Sequence, residues 1–506
     1  MNLTQILAFA ALSLIVGLAC AWDRARVRAM RARGWVMLAA SVVAVYWLQS
    51  SSPIRSLDFW LPTASIGLTV IVWAAIYAPR RVEWRAALPA GAVIIGIVAF
   101  IALTRYIDPL CCVTPTRPPD IVTVALGGVI VAALIAGATL LFRGRTRWLN
   151  WLVLGVIAAF VILKLDVATQ ALSAVLRGLN GQDMAQASAL DVRWLGFSYI
   201  AFRLIHALRD RVTARPPAPG KPAPAGLTLR EFVSYVVFFP ALTAGPIDRA
   251  DRFVKDYRNT TVLPMDTASV VAGVSRILLG VFKKFVIADT LAIVALNAVN
   301  AAQVNATIWM WVIVYAYALR IFFDFSGYTD IAIGLGRLFG IKLPENFDRP
   351  YLKSNLTLFW NSWHMSLSQW FRAYFFNPVT RALRSPRETH FLPAQGFFRQ
   401  PAFIILFGQV TTMLLIGLWH GITWNFVVWG AWHAFGLFAH NRWAEFARRR
   451  NASTDAEPTP QSPVRRRVVT VLSVVATFNF VALGWVWFAL PSIDLSLTVF
   501  RRLVGG

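Results

Sequence analysis

The sequence predicts an all-α polytopic membrane protein, and three observations carry that prediction. Of its 506 residues, 57% are hydrophobic and 14% charged, whereas a soluble domain is nearer a quarter charged. Apolar runs with at most one charge recur from end to end, several of them approaching the roughly 20 residues a helix needs to span a bilayer core; residues 3–21, 58–78, 121–142 and 468–490 are the plainest. The runs are continuously apolar rather than alternating, which argues against a β-barrel.

The net charge of +25 would suit nucleic acid, but the positions of the cations do not. They cluster between apolar runs: Arg24, Arg26, Arg28, Arg31 and Arg33; Arg80, Arg81 and Arg85; Arg143, Arg145 and Arg147; Arg209, Arg211, Arg215 and Lys221. The alternate connections, 50–57, 104–120 and 166–190, carry few. This is the pattern of basic loops kept in the cytoplasm. It predicts a multi-pass protein of the inner (cytoplasmic) membrane with its N-terminus outside, the lipid bilayer as its surroundings and no nucleic-acid partner. In the first run the basic residues follow the apolar stretch, the wrong order for a signal peptide, so it reads as an uncleaved span. Cys20, Cys111 and Cys112 make no disulfide framework, and no role is assigned to them.

Composition divides the chain into five segments. Residues 1–165 read as six N-terminal spans. Residues 166–226 hold a polar exterior stretch, a partly inserted helix at 191–208 interrupted by Arg193, Arg203 and His206, and a proline-rich cytoplasmic linker at 215–226 that cannot be helical. Residues 227–443 are richer in aromatics with polar groups among them, with apolar segments near 231–245, 269–300, 307–325, 401–420 and 424–440. Residues 444–467 form a basic cytoplasmic loop, and 468–506 the last span and tail. Together these give about 11–13 transmembrane or partly inserted helices. There is no internal repeat of the kind found in many secondary transporters.

The stretch FWNSWHMSLSQWF, 359–371, puts His364 among three tryptophans and two phenylalanines. On one helix over 359–375, at about 100° per residue, Trp360, Trp363, Leu367, Trp370, Phe371, Tyr374 and Phe375 share an arc. Asn361, Ser362, Met365, Gln369 and Arg372 take the other. His364 falls inside the apolar arc. The ordinary reading is a core histidine satisfied by a backbone carbonyl. The functional reading is that an ionisable group inside a membrane protein is costly and usually has work to do, and that a buried neutral imidazole can act as a base.

A second histidine, His420, lies in LLIGLWHGITWNFVVWGAWH, 414–433. As one helix, 401–440 would be about 60 Å long, twice a bilayer core. It must turn, and Gly421-Ile422-Thr423 is the natural break, with Thr423 as N-cap. His420 therefore sits at a helix end, as a capping residue or a functional one. His206, His390, His433 and His440 are read as structural. No nearby Cys, His or carboxylate spacing supports a metal site.

These stretches resemble the membrane-bound O-acyltransferase family, nearest its bacterial alginate O-acetyltransferase and D-alanine transfer branch. The resemblance is carried by EFVSYVVFFPALTAGPIDR (231–249), GVFKKFVIADTLA (280–292), YALRIFFDFSGYTDIAIGLGRLFGIKLPENFDRPY (317–351), LTLFWNSWHMSLSQWFRAYFFNPV (356–379), LLIGLWHGITWNFVVWGAWHAF (414–435) and GWVWF near 484–488. It covers roughly 195–490. The family's final motif usually has an arginine after the aromatic pair, where this chain has Ala489. The resemblance implies a helical shell around a central tunnel, with a proposed catalytic histidine at His420 and a second functional one at His364.

It further implies an acyl thioester entering from the cytoplasm as co-substrate, either acetyl-coenzyme A or an acyl carrier protein, and no bound cofactor. The hydroxyl acceptor, a polysaccharide or envelope glycan, comes from outside, directly or through an exterior acyl-transfer partner. His420 would then be the base, and His364 the oxyanion donor or the group that orients the acceptor. Trp363 and Trp419 would exclude water. Asn361 and Asn425 would position a ring, and Asp324 would be a carboxylate at the end of an apolar helix. Acetyl is the first expectation for the acyl group and D-alanyl the second. A polysaccharide or lipid flippase, or a structural scaffold, are the rivals from other classes.

Overall fold

The computed structural model describes residues 1–21, 26–77, 81–107, 112–142, 146–214, 226–259, 267–385, 396–452 and 462–506. Several sequence features lie outside these residues: Cys111, His390, Arg24, Arg80, Arg143, Arg145, Arg215, Lys221, most of the proline-rich linker, and the middle of the basic loop at 444–467. The described chain is helical. Its only β-type pairing among the described residues is an isolated bridge between Phe347 and Trp363.

In chain order the helices are α1 (Leu3–Ala21), α2 (Arg26–Trp47), α3 (Leu57–Tyr77), α4 (Arg81–Leu103), α5 (Ile121–Phe142), α6 (Leu149–Ile162), α7 (Asp166–Leu179), α8 (Phe197–Thr213), α9 (Leu229–Val236), α10 (Ala250–Arg258) and α11 (Thr267–Val281). They continue with α12 (Asp289–Val294), α13 (Ala298–Gln303), α14 (Thr307–Leu338), α15 (Leu356–Trp360), α16 (Met365–Phe371), α17 (Asn377–Arg384), α18 (Pro401–His420), α19 (Trp424–Ala452), α20 (Pro463–Ala489) and α21 (Ile493–Leu503). Among the described residues six helices are long and apolar enough to cross a membrane: α3, α4 with its short extension to Tyr106, α5, α14, α18 and α20. A seventh span arises if α6 and α7, bent by 92° at their junction, count as one. This is a multi-pass membrane protein. The remaining elements are short, bent or interrupted by charge, which is why hydropathy alone counts fewer full spans than the sequence's apolar segments suggest.

Two compact units form: Met1–Leu278 with Asp330–Pro344, and Leu279–Thr329 with Glu345–Gly506. They are defined by packing, whereas the five segments above follow composition. In the first unit, polar and charged side chains find internal partners, Arg203 and His206 of the interrupted segment 191–208 among them. Arg203 of α8 is 1% exposed, and its guanidinium donates to the carbonyls of Val236 and Ala241, both at 2.8 Å. Val236 is the last residue of α9 and Ala241 ends the 3-10 turn Phe239–Ala241 that follows, and helix ends leave such groups without intrahelical partners. Asp191 accepts from the Ser173 hydroxyl at 2.6 Å and from Arg177 Nε at 2.9 Å. Asp58, fully buried, accepts from the Thr116 amide and hydroxyl, each at 2.6 Å. His206 pairs with Asp210 at 2.9 Å. Cys112 is disulfide-bonded, a pairing the sequence reading did not expect.

The second unit is built around the α18–α19 hairpin. The break falls at Gly421–Thr423, where the length argument put it. Small residues let the two backbones touch. A Cβ at Gly417 would stand 2.3 Å from the Phe426 carbonyl oxygen, and one at Gly430 would stand 2.7 Å from that of Met413.

Candidate active site

The single helix expected over 359–375 does not form. Helix α15 ends at Trp360, the chain turns through Asn361–Trp363, and α16 starts after His364. His364 adopts φ 43°, ψ 52°, the left-handed region that non-glycine residues rarely enter. The cause is tertiary. Segment 346–348 lies against 362–366: the Asp348 amide donates to the Ser362 carbonyl at 3.0 Å, and Asn346 takes the amides of Met365 and Ser366 at 3.0 and 3.1 Å. The backbone thus finds partners that a continuous helix would have supplied from within. The ring of His364 is 2% exposed and meets Phe325 edge-on, with centroids 4.6 Å apart.

His420 arrives from the other direction, as the last residue of α18. Its ring contacts Trp419 at 4.5 Å, Phe488 at 4.7 Å, Trp429 at 5.8 Å and Phe426 at 6.0 Å. The Trp419 ring lies 6.0 Å from that of His364, so one indole touches both imidazoles. Both histidines line one cavity of ≈ 140 Å³, together with Asp324, Phe325, Trp360, Trp363, Trp429, Trp485 and Phe488. Two imidazoles distant in sequence therefore share one aromatic-walled space. Trp363 packs face-on to Phe359 at 5.6 Å and against Trp485 at 5.1 Å, which fixes its position in the wall.

Three expected supporting residues are placed differently. Asn361 accepts from Arg372 at 2.7 Å and lines a neighbouring pocket of ≈ 160 Å³, which shares Trp360 and Ile416 with the first. Asn425, 3% exposed, donates to the carbonyl of Leu490 at 2.9 Å and contacts Ser496 Oγ at 3.1 Å, closing the end of α20. Neither asparagine makes a hydrogen bond to either imidazole. Asp324 lies within α14, which continues to Leu338, and not at a helix end. It pairs with Lys284.

The sequence reading passed over Lys284, Phe325 and Phe488. Phe325 adjoins Asp324 and could have been found from the helix. Phe488 belongs to the GWVWF stretch, but only the fold brings it to His420. Of the other histidines, His440 bonds Thr357 at 3.0 Å, and His433 is enclosed by Trp360, Trp429 and Phe480, with no hydrogen-bond partner on either nitrogen among the described residues. Among the described residues no group of three or more His, Cys, Asp or Glu is placed to hold a metal.

The family model described as MBOAT, membrane-bound O-acyltransferase family, matches residues 157–392, a stretch that includes His364. A teichoic acid D-alanyltransferase of Bacillus subtilis is 30% identical over 301 residues, covering 59% of this chain and 69% of the relative. The chain belongs to the membrane-bound O-acyltransferase family. Other relatives of this acyltransferase-family protein act on different polymers by name. A peptidoglycan O-acetyltransferase of Helicobacter pylori is 30% identical over 301 residues, 59% of this chain and 51% of the relative. A probable alginate O-acetylase of Pseudomonas aeruginosa is 31% identical over 364 residues, 71% of this chain and 61% of the relative. The match thus spans about half of the first of these two and under two thirds of the second.

Proposed function

We propose that this protein is a membrane O-acyltransferase that moves an acyl group, acetyl as the first choice, from a thioester to a hydroxyl of an exported polysaccharide or envelope glycan. The observation that carries the reading is the cavity shared by His364 and His420, in a chain of this family. The acceptor oxygen attacks the thioester carbonyl carbon while His420 removes its proton. A C–O bond forms and the carbonyl oxygen takes up negative charge. Collapse of that intermediate breaks the C–S bond, and the thiolate leaves with the proton returned by the imidazolium. General-base help of this kind is typically worth 10²–10⁴-fold. His364 is the donor to the oxyanion or the group that orients the acceptor. The indole walls keep out water, which would otherwise hydrolyse the thioester.

The donor is the co-substrate, acetyl-coenzyme A or an acyl carrier protein, and reaches the site from the cytoplasmic face. The cluster Arg448–Arg450 in the last turns of α19 attracts anionic donors. The N-terminus lies outside the cytoplasmic membrane, and the acceptor arrives from that side, directly or through an exterior acyl-transfer partner. The similarity to the Bacillus subtilis D-alanyltransferase favours a second reading, D-alanyl transfer towards teichoic acid from a carrier protein.

The test is purified protein with a labelled acyl thioester and His420→Ala as the comparison. Label transfer or thioester turnover that falls at least 10²-fold in the variant supports the transferase. A protein that moves glycan or lipid across a bilayer without consuming thioester, equally well in both forms, is a flippase, and the proposal fails.

A further inference from the structure

Of the side chains lining the histidine cavity, most are aromatic or aliphatic. An indole N–H only donates hydrogen bonds, an imidazole does either, and an ionised carboxylate only accepts. Asp324 is the one acceptor-only group among the described lining residues. Its Oδ1 takes the Lys284 ammonium, while Oδ2 has no partner among the described residues, and 47% of the side chain stays exposed.

The arrangement is built rather than incidental. Lys284 lies in a π-helical turn, Phe282–Ala288, that follows α11, and such turns occur often at functional sites. One helical turn after Asp324, Gly327 brings α14 against that turn: a Cβ there would stand 2.8 Å from the Gly280 carbonyl oxygen and 2.9 Å from the Lys284 amide nitrogen. Close contact of the two backbones sets the ammonium onto Oδ1, which fixes how Oδ2 is presented.

The proposed reaction, on which this inference rests, has two substrates that differ in hydrogen-bonding character. The acetyl thioester group itself offers a carbonyl and no hydrogen-bond donor, and the nearest one on this substrate is a single amide N–H two carbons beyond the sulfur. A sugar acceptor brings several neighbouring hydroxyls. One gives its proton to the base, and another needs an acceptor. A carboxylate is a strong one, because bonds to ionised groups are shorter and about twice as strong as neutral ones. We propose that Asp324 binds the acceptor, Oδ2 accepting a hydrogen bond from a hydroxyl next to the one that reacts, and that Lys284 is the positioning residue that aims it. The cavity then has a hydroxyl side at Asp324, and the acceptor class is a polyol or glycan.

The test uses full-length protein in lipid nanodiscs, labelled acetyl-coenzyme A as donor and a neutral hexose trisaccharide as acceptor. Asp324→Asn should raise the KM for the trisaccharide at least ten-fold, with a change in donor KM several times smaller. Lys284→Met should move in the same direction, and Lys284→Arg should stay nearer the wild type. The swapped pair Asp324→Lys with Lys284→Asp keeps an ion pair for folding but moves the carboxylate, and should also show the raised acceptor KM. A swapped pair with wild-type acceptor KM makes the pair purely structural and overturns the assignment. So does a loss in Asp324→Asn that falls on the donor, as expected if the carboxylate reads an ammonium-bearing acyl group such as D-alanyl. Wild type and His420→Ala that consume thioester equally slowly mark failure of the transferase reading itself, and the inference falls with it.

Discussion

Asn346 holds the chain immediately after His364: its carbonyl takes the Met365 amide at 3.0 Å and its Oδ1 the Ser366 amide at 3.1 Å. Asn346 is itself fully buried. The imidazole is thus presented from a backbone bent to φ 43°, a conformation that costs on the order of 1–3 kcal/mol and persists only where the surroundings impose it. Strain and ring function are separable by substitution. His364→Gly and His364→Ala both remove the ring, and both should lose transfer. The glycine variant fits the left-handed backbone, so it should melt higher than the alanine variant by an amount corresponding to about 1 kcal/mol. Equal melting temperatures in differential scanning fluorimetry would show that the bend carries no strain.

The α18–α19 hairpin makes a second case. At Gly417 a Cβ would meet the Phe426 carbonyl oxygen at 2.3 Å, and backbone cannot step aside as a side chain can. Gly417→Ala should spread the hairpin, at a cost of roughly 1–3 kcal/mol. It should also weaken transfer, because His420 is one turn further along the same helix. Gly96 in α4 has nothing within 4 Å of its Cβ position. Gly96→Ala should therefore hold or slightly raise the melting temperature, since alanine is the better helix former by about 1 kcal/mol. Matching losses in the two variants would mean that helix flexibility, not contact, sets the effect.

These sites also mark what the sequence could and could not reveal. The break before Trp424 was legible because a 40-residue apolar run is too long for one span, and Gly421-Ile422-Thr423 supplied the turn. The break at His364 was not. The pattern of 359–375 suits one amphipathic helix, and what interrupts it is pairing with 346–348, a tertiary effect that overrides local preference. Asn361 and Asn425 were expected to serve the histidines because they are neighbours in sequence. In the fold, one meets Arg372 and the other closes α20. Asp324 stands at the end of the apolar run 307–325, yet α14 continues past it to Leu338 and pairs it with Lys284. The sequence showed which residues are chemically unusual; the contacts that decide their use cross long chain separations.

Arg203 shows the same limit in the first unit. It looked like a break in an apolar helix, but its guanidinium bridges two carbonyls 2.8 Å away in different turns. A planar fork can do this, whereas a lysine ammonium on a flexible stem cannot reproduce it. Arg203→Lys keeps the charge and should still lose about 1–3 kcal/mol, the cost of leaving a buried polar group unsatisfied. A thermal melt of Arg203→Lys indistinguishable from wild type would show that charge alone is what the site requires.

Glu231 closes a capping box with Thr228, accepting the Thr228 amide at 2.8 Å, and takes the Arg258 guanidinium at 2.5 and 2.8 Å. Burial opposes its charge, but Arg258 and the Thr228 bonds outweigh that and hold the carboxyl below its ordinary value. Arg258 is correspondingly raised by Glu231. A carboxyl lowered on folding stabilises the folded state above its unfolded value, near pH 4.3. That contribution is lost as pH falls through the lower folded value. Glu231→Gln removes the ion pair and should cost roughly 1–2 kcal/mol at pH 7, in the range of hydrogen bonds to charged groups after allowance for the partly exposed arginine. The gap in melting temperature between wild type and variant should be constant from pH 7 to about 5, then narrow below about pH 4.3 and close as the carboxyl protonates. A gap that widened on acidification would mean that the folded carboxyl is raised, and that burial, not Arg258, decides its state.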